Sequence, residues 1–197
     1  LHAPWIDMFE HTLRLCGVRR GDVCAVLSES RSRPDLPALA TLALQRIGAR
    51  PFAIVLPTPA LQNTVPVRST GASEALAGIA PVVQALASCT LVVDCTVEGL
   101  QHAKELPQIL AGGARVLVVS HEHPEVLERC LPRAEDEAPV REAMRALRGA
   151  KQMHVTSPAG TDLRIALQGA RVGGVWGFST KPGTLTHWPG GLVVAFP

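Results

Sequence analysis

Apolar residues recur along the chain in two rhythms, and their alternation predicts the fold. Ile6, Phe9, Leu13 and Cys16 stand at helical spacing, with Gly17 as the stop. After a turn at Arg20-Gly21-Asp22, Val23 to Leu27 is a short continuous apolar run, the pattern of a strand buried on both faces of a parallel sheet, and Ser28 to Arg33 follows as its loop. The cycle then repeats. Asp35 to Ile47 reads as a helix closed by Gly48, Pro51 to Leu56 as a strand, Pro57 to Gly71 as a long exposed loop, and Ser73 to Ala87 as a helix capped by Ser73. Thr90 to Asp94 is the third strand, Ala103 to Leu110 a helix, Arg115 to Val119 the fourth strand, and Glu125 to Leu131 and Ala138 to Leu147 two more helices.

Strand and helix in strict alternation define an α/β protein with an open, mainly parallel, doubly wound sheet flanked by helices. The last quarter changes character. Leu163, Ile165 and Leu167 alternate as in a half-buried strand. A Pro-, Gly- and Thr-rich stretch after Trp176 reads as a long loop carrying His187 and Trp188, and Leu192 to Phe196 as a returning strand. The expected division is therefore an α/β domain over 1–150 and the beginning of a β-rich domain over 151–197.

Composition narrows the partners. Of 197 residues 47% are hydrophobic and 18% charged, which suits a folded core and excludes a disordered chain. The net charge is only +2, with Lys and Arg interspersed among Asp and Glu, so nothing favours nucleic acid. Five scattered cysteines, Cys16, Cys24, Cys89, Cys95 and Cys130, form no Cys-x-x-Cys pair and read as buried small hydrophobes in a reduced cytoplasm. Neither a signal segment nor a membrane-length apolar run is present, so a cytoplasmic protein is expected.

Ligands of open parallel sheets bind outside the carboxyl ends of the strands, which selects the loops at Ser28 to Ser30, Pro57 to Thr58, Asp94 to His102 and Ser120 to His123. None of them carries a glycine-rich phosphate motif, so a nucleotide cofactor is unsupported. His102 could move protons there, or could simply be a solvated histidine at a helix start. His187 sits before Pro189 and Gly190-Gly191, a sequence that lets main chain approach a ligand closely, though a structural loop histidine has the same form. Trp188 is a packing anchor or a stacking surface. His121 and His123 would share one face of a strand and could hold a metal. The fourth strand is instead expected to end before them, with a helix starting at Pro124. Asp94 and Asp162 suit turn and cap work, or a buried polar role beside a pocket.

Several of these residues also form patterns. Leu91-Val-Val-Asp94, then His102 at a fixed distance before Ile109-Leu110, Ser157-Pro-Ala-Gly-Thr-Asp162, His187-Trp-Pro-Gly-Gly191, Met8-Phe9-Glu10-His11 and His123-Pro-Glu-Val-Leu with Leu131-Pro together resemble the 2,5-dihydroxypyridine 5,6-dioxygenase family. The segment preceding His102 is slightly longer than the family pattern. That family is related in fold to metal-dependent leucyl aminopeptidases, which share Gly160-Thr-Asp162 and Pro189-Gly-Gly191.

The resemblance implies a non-haem Fe(II) enzyme that opens a hydroxylated N-heteroaromatic ring by inserting both atoms of dioxygen. It makes His102 the acid-base residue and His187 and Trp188 the substrate-binding residues. It places the iron ligands in a C-terminal half beyond Pro197, so no metal ligand is expected in this chain, which reads as an N-terminal half. A small aromatic substrate and dioxygen, no nucleic acid, no membrane and a homo-oligomer are the expected partners. An aminopeptidase and a non-catalytic binding module are the alternatives.

Overall fold

The computed structural model describes residues 2–60 and 71–196, and in it the chain forms two compact units. The first comprises residues 1–132 and 177–190. It contains α1 (Ala3–Leu15), β1 (Val23–Glu29), α2 (Asp35–Ile47), β2 (Arg50–Leu56), α3 (Ala80–Ala87), β3 (Leu91–Asp94), α4 (Leu106–Ala111), β4 (Arg115–Val119), α5 (Pro124–Arg129) and β8 (Leu185–Trp188). The strands make one parallel sheet in the order β2-β1-β3-β4-β8, the open α/β architecture that the alternating pattern predicts.

The central strands β1, β3 and β4 are buried on both faces while the edge strand β2 is largely exposed, and strand alternation sorts their side chains. Ala25 and Leu27 of β1, Val92 of β3, and Val116 and Val118 of β4 join Val83 and Leu86 of α3 and Ile109 of α4 in one core cluster. Their neighbours Cys24, Val26, Leu91, Val93, Leu117 and Val119 are as deeply buried on the opposite face, where α1 and α2 pack together and α2 lies against β1 and β2. α2 ends where expected: Gly48 takes the left-handed conformation with φ 83°, and its N–H reaches back to the Gln45 carbonyl.

Two expectations are corrected. The α3 helix begins at Ala80 rather than Ser73: the Ser73 hydroxyl oxygen accepts from the Ala75 N–H while its proton goes to Glu29, and residues 75–78 form a turn before the helix starts. The loop expected around His187 and Trp188 is interrupted by β8, whose residues Leu185 to Trp188 pair in parallel with Val116 to Val119. Its strand state comes from that long-range ladder, against a local sequence of turn formers. The long loop expected after Leu56 lies largely outside the described residues.

The second unit comprises residues 133–176 and 191–197. It contains a 3-10 turn (Ala134–Asp136), α6 (Glu137–Gly149), β5 (Gln152–Thr156), β6 (Asp162–Ala166), β7 (Arg171–Val175) and β9 (Leu192–Phe196). β5 pairs antiparallel with β6, and β7 with β9. The expected boundary at 150 thus moves: α6 belongs to this unit, and residues 177–190 return to the first. α6 packs on β7, where Gly174 leaves the space: a Cβ there would lie 2.5 Å from the Met144 sulfur and 2.9 Å from Val140. Four of the cysteines are buried as expected, and Cys130 is exposed.

Candidate functional site

Chain direction reverses across the sheet at one place. From β1 the chain passes to β2 on one side, and from β3 it passes to β4 on the other, so the carboxyl ends of β1 and β3 flank a topological switch point, where open α/β sheets hold their ligands. Register then decides which side chains stand there. Leu27, Asp94, Val118 and His187 lie level across β1, β3, β4 and β8. Leu27 and Val118 belong to the α3/α4 face, so Asp94 and His187 occupy that face too, and Glu29 stands on it one pleat beyond Leu27. A single face of one sheet edge carries all three titratable residues.

Asp94 is fully buried and organises the loop that follows it. Its Oδ1 accepts from the Thr96 N–H at 3.0 Å and the Thr96 hydroxyl at 2.6 Å, and its Oδ2 from the Leu100 N–H at 2.7 Å. Thr96 Oγ1 in turn accepts from the Gly99 N–H at 3.1 Å. Burial raises the Asp94 carboxyl to about 6; the Thr96 and Leu100 hydrogen bonds oppose that shift and nearby Glu29 adds to it. This is the turn-stabilising role, performed from inside the core. His102 lies at the end of the loop, in a turn before α4, with an exposed ring that makes no hydrogen bond to a described residue. Its main-chain N–H donates to the Gly71 carbonyl. Gly71 has φ 74°, and a Cβ there would meet Gln101 Cβ at 3.0 Å and His102 Cδ2 at 3.2 Å, so glycine is required beside the histidine.

Sequence reasoning passed over three residues of this edge. Glu29 ends β1 at 3% exposure; its Oε1 accepts from the Ser73 hydroxyl at 2.8 Å, and its Oε2 is buried with no hydrogen-bond partner among the described residues. Arg33 likewise buries an Nε with no partner among the described residues. Ser32 Oγ accepts from the Glu29 N–H at 2.7 Å and donates to the Cys95 carbonyl at 2.7 Å, tying the loops after β1 and β3 together. The available signal was Glu29 itself, a carboxylate two residues beyond the apolar run Val23 to Leu27 on the ligand edge.

The other candidates separate. His121 Nε2 accepts from the Arg33 N–H at 2.7 Å, and burial, with the Arg33 charge, lowers its pKa. His123 instead caps α5 through Nδ1 and meets Trp5 edge-on at 5.4 Å. The two therefore point to different partners and form no metal-binding pair. Asp162 is exposed and bonds His154 across the β5-β6 hairpin at 2.6 Å, so it has no buried polar role. Ser157-Pro-Ala-Gly-Thr is that hairpin's turn.

His187 is half-buried, with Nδ1 2.7 Å from the Pro189 carbonyl. A carbonyl can only accept, so Nδ1 carries a proton, and in the neutral ring Nε2 is the acceptor. Two strand spacings, roughly 10 Å, separate the axes of β3 and β8. Trp188 faces the other way. It is 0% exposed, its ring meets Phe9 edge-on at 5.1 Å, and its indole N–H donates to the Cys130 carbonyl at 2.9 Å. The structure gives it the packing role.

In the second unit an open groove of about 520 Å³ is lined by Asp136, Pro139, Val140, Ala143, Gly191 and Val193. Its one carboxylate is already taken by the Arg133 N–H and guanidinium. Among the described residues no three His, Cys, Asp or Glu side chains gather as a metal site, and no helix is long and apolar enough to cross a membrane.

A five-stranded parallel sheet with a buried carboxylate at its switch point and histidines along the same edge defines an α/β protein of the open-sheet class, whose members hold ligands at the carboxyl edge of the sheet. Comparison with known proteins narrows the class. The family model for NicX, 2,5-dihydroxypyridine 5,6-dioxygenase, matches residues 4–197, and the chain belongs to that family. It is 35% identical over 199 residues to the 2,5-dihydroxypyridine 5,6-dioxygenase of Pseudomonas putida KT2440, an alignment covering 100% of this chain and 56% of that protein. The solved structure of the 2,5-dihydroxypyridine dioxygenase from the same organism superposes with a TM-score of 0.87 at 34% identity, over 99% of this chain and 56% of its own. The chain thus spans about half the length of these relatives.

Proposed function

We propose that this chain is the α/β portion of a ring-cleaving dioxygenase acting on 2,5-dihydroxypyridine or a closely similar hydroxylated aromatic. The observation that carries the proposal is the family match along residues 4–197 together with 35% identity to an enzyme of that name. The edge geometry supports it. His102 offers an exposed imidazole with no competing side-chain hydrogen bond among the described residues, as a residue that takes and returns a proton at a ring hydroxyl must. His187 offers Nε2 as an acceptor for a second hydroxyl, with its tautomer fixed by Pro189. Trp188 contributes from behind, by holding β8 in register.

Fe(II) is the cofactor expected of such an enzyme, but the described residues contain no ligand set for it. The chemistry assigned to this chain is accordingly confined to binding the ring and moving its protons.

The test uses the product of the complete gene, purified anaerobically and supplied with Fe(II). Oxygen uptake accompanied by loss of the ultraviolet band of 2,5-dihydroxypyridine is expected in the wild type and is expected to collapse in His102→Ala. Absence of uptake, with hydrolysis of aminoacyl substrates under other divalent metals, would place the protein with the aminopeptidases instead.

A further inference from the structure

We propose that Asp94, backed by the Glu29–Ser73 hydrogen bond, is the positioning residue that sets His102 at the sheet edge. The inference rests on the reading of His102 as the proton-transfer group and adds how the fold places it.

His102 lies on an irregular segment, which by itself would leave its ring spread over many positions. The segment is held from two sides. From β3, Asp94 collects the Thr96 N–H, the Thr96 hydroxyl and the Leu100 N–H, and Thr96 extends the grip to Gly99. A carboxylate is the only side chain of this size with enough acceptor capacity to do so, since both oxygens accept and neither donates. From the other side, residues 71–73 run alongside the segment as a second rail. The Gly71 N–H donates to the Glu98 carbonyl at 2.6 Å, the Ser73 N–H to the Gly99 carbonyl at 2.9 Å, and the His102 N–H to the Gly71 carbonyl.

That rail is anchored in turn. Ser73, 3% exposed, gives its hydroxyl proton to Glu29 Oε1 at 2.8 Å and accepts from the Ala75 N–H at 3.2 Å. Glu29 and Asp94 end adjacent parallel strands on the same face, so the two carboxylates clamp the His102 segment to the two strands that border the switch point. Two buried acids used as acceptors for loop N–H and O–H groups are an expensive way to close a turn, because burial opposes their charge. What the arrangement gains is a histidine placed by the rigid sheet rather than by its own loop.

The test compares the complete gene product with Asp94→Asn, which keeps the shape but turns an N–H₂ group or a single shared oxygen toward donors that need two acceptors. Thr96→Val and Thr96→Ser supply a milder break and its conservative repair. One readout needs no activity: hydrogen exchange of the Gly99 and Leu100 amides, and the ring resonances of His102. In Asp94→Asn these amides are expected to exchange at least about tenfold faster while the amides of β4 do not, and the His102 resonances to shift or broaden. The second readout is kinetic: kcat is expected to fall about a hundredfold, as for a misplaced catalytic group, with KM changed less than about threefold. Thr96→Val should move both readouts in the same direction by less, and Thr96→Ser should restore them. A folded Asp94→Asn protein with unaltered His102 resonances, or with full kcat, overturns the proposal. Should Asp94→Asn fail to fold, Thr96→Val decides by the same criteria. If the wild type cleaves no ring, the proposed activity fails, and the exchange and resonance data still decide whether Asp94 positions His102.

Discussion

Replacing Trp188 separates its packing role from the substrate contact that its motif suggests. The indole is 0% exposed, is met edge-on by Phe9 at 5.1 Å and donates to the Cys130 carbonyl at 2.9 Å. Truncation to alanine removes a fully buried aromatic and leaves a cavity, for which about 3–5 kcal/mol is the ordinary cost. Trp188→Phe keeps a ring but deletes the N–H donor and part of the volume, so about 1–2 kcal/mol is expected. The Phe9 contact predicts a further signature: in a double-mutant cycle with Phe9→Ala, a coupling of about 0.5–1.5 kcal/mol. The assay is urea unfolding followed by circular dichroism. With a slope of about 2 kcal/mol per M, Trp188→Ala should lower the midpoint of the first unit by about 1.5–2.5 M. A midpoint within about 0.5 M of wild type, accompanied by weakened substrate binding, would refute the packing argument and restore the indole to the substrate pocket.

Three more predictions test other parts of the structure. Asp94 titrates at about 6 folded against an ordinary 3.8. Between those values the folded chain holds a proton that the unfolded chain has released, so its contribution to stability falls as pH rises through the window, and wild type minus Asp94→Asn urea midpoints should show that slope. His121 has the opposite sign: its lowered pKa means that the unfolded chain takes up a proton the folded chain refuses as pH falls below 6.5, so acid should destabilise wild type more than His121→Gln, whose amide oxygen can still accept from the Arg33 N–H. Gly112→Ala should cost about 1–3 kcal/mol by thermal unfolding, because the new methyl group would press on the Ala87 carbonyl oxygen and lie 2.8 Å from Ala87 Cβ, whereas Gly149→Ala, in open space, should cost nothing measurable.

The elements of the first unit were legible where local and tertiary preferences agree. The apolar run at β1, the helix from Asp35 to Ile47 with its glycine cap, and the Arg115 to Val119 strand all follow from periodicity and termination signals. β8 was not, since Leu-Thr-His-Trp between Pro-Gly and Pro-Gly-Gly has the composition of a loop and becomes a strand only by pairing with β4. The same holds for the site. His102 is visible as an isolated titratable residue on the expected edge and His187 as one on an expected loop, and only the pairing of β8 with β4 brings His187 to the same edge. The Glu29–Ser73 bond joins positions 44 residues apart, and no spacing rule connects a strand end to a serine that looks like a helix cap.

The placement of β8 sets an order on how this chain can mature. Strands β1 to β4 are complete once residue 119 has been made, yet the fifth strand and the indole that closes the α1 side arrive only at residues 185–188, after residues 133–176 have been synthesised. On a ribosome the unfinished sheet therefore presents the unpaired edge of β4 and an unfilled space beside Phe9 for as long as the intervening unit takes to emerge, an interval in which chaperones or aggregation have access to it. Because residues 133–176 lie between β4 and β8, and residues 177–190 lie between β7 and its partner β9, neither unit can close until a segment of the other has been made.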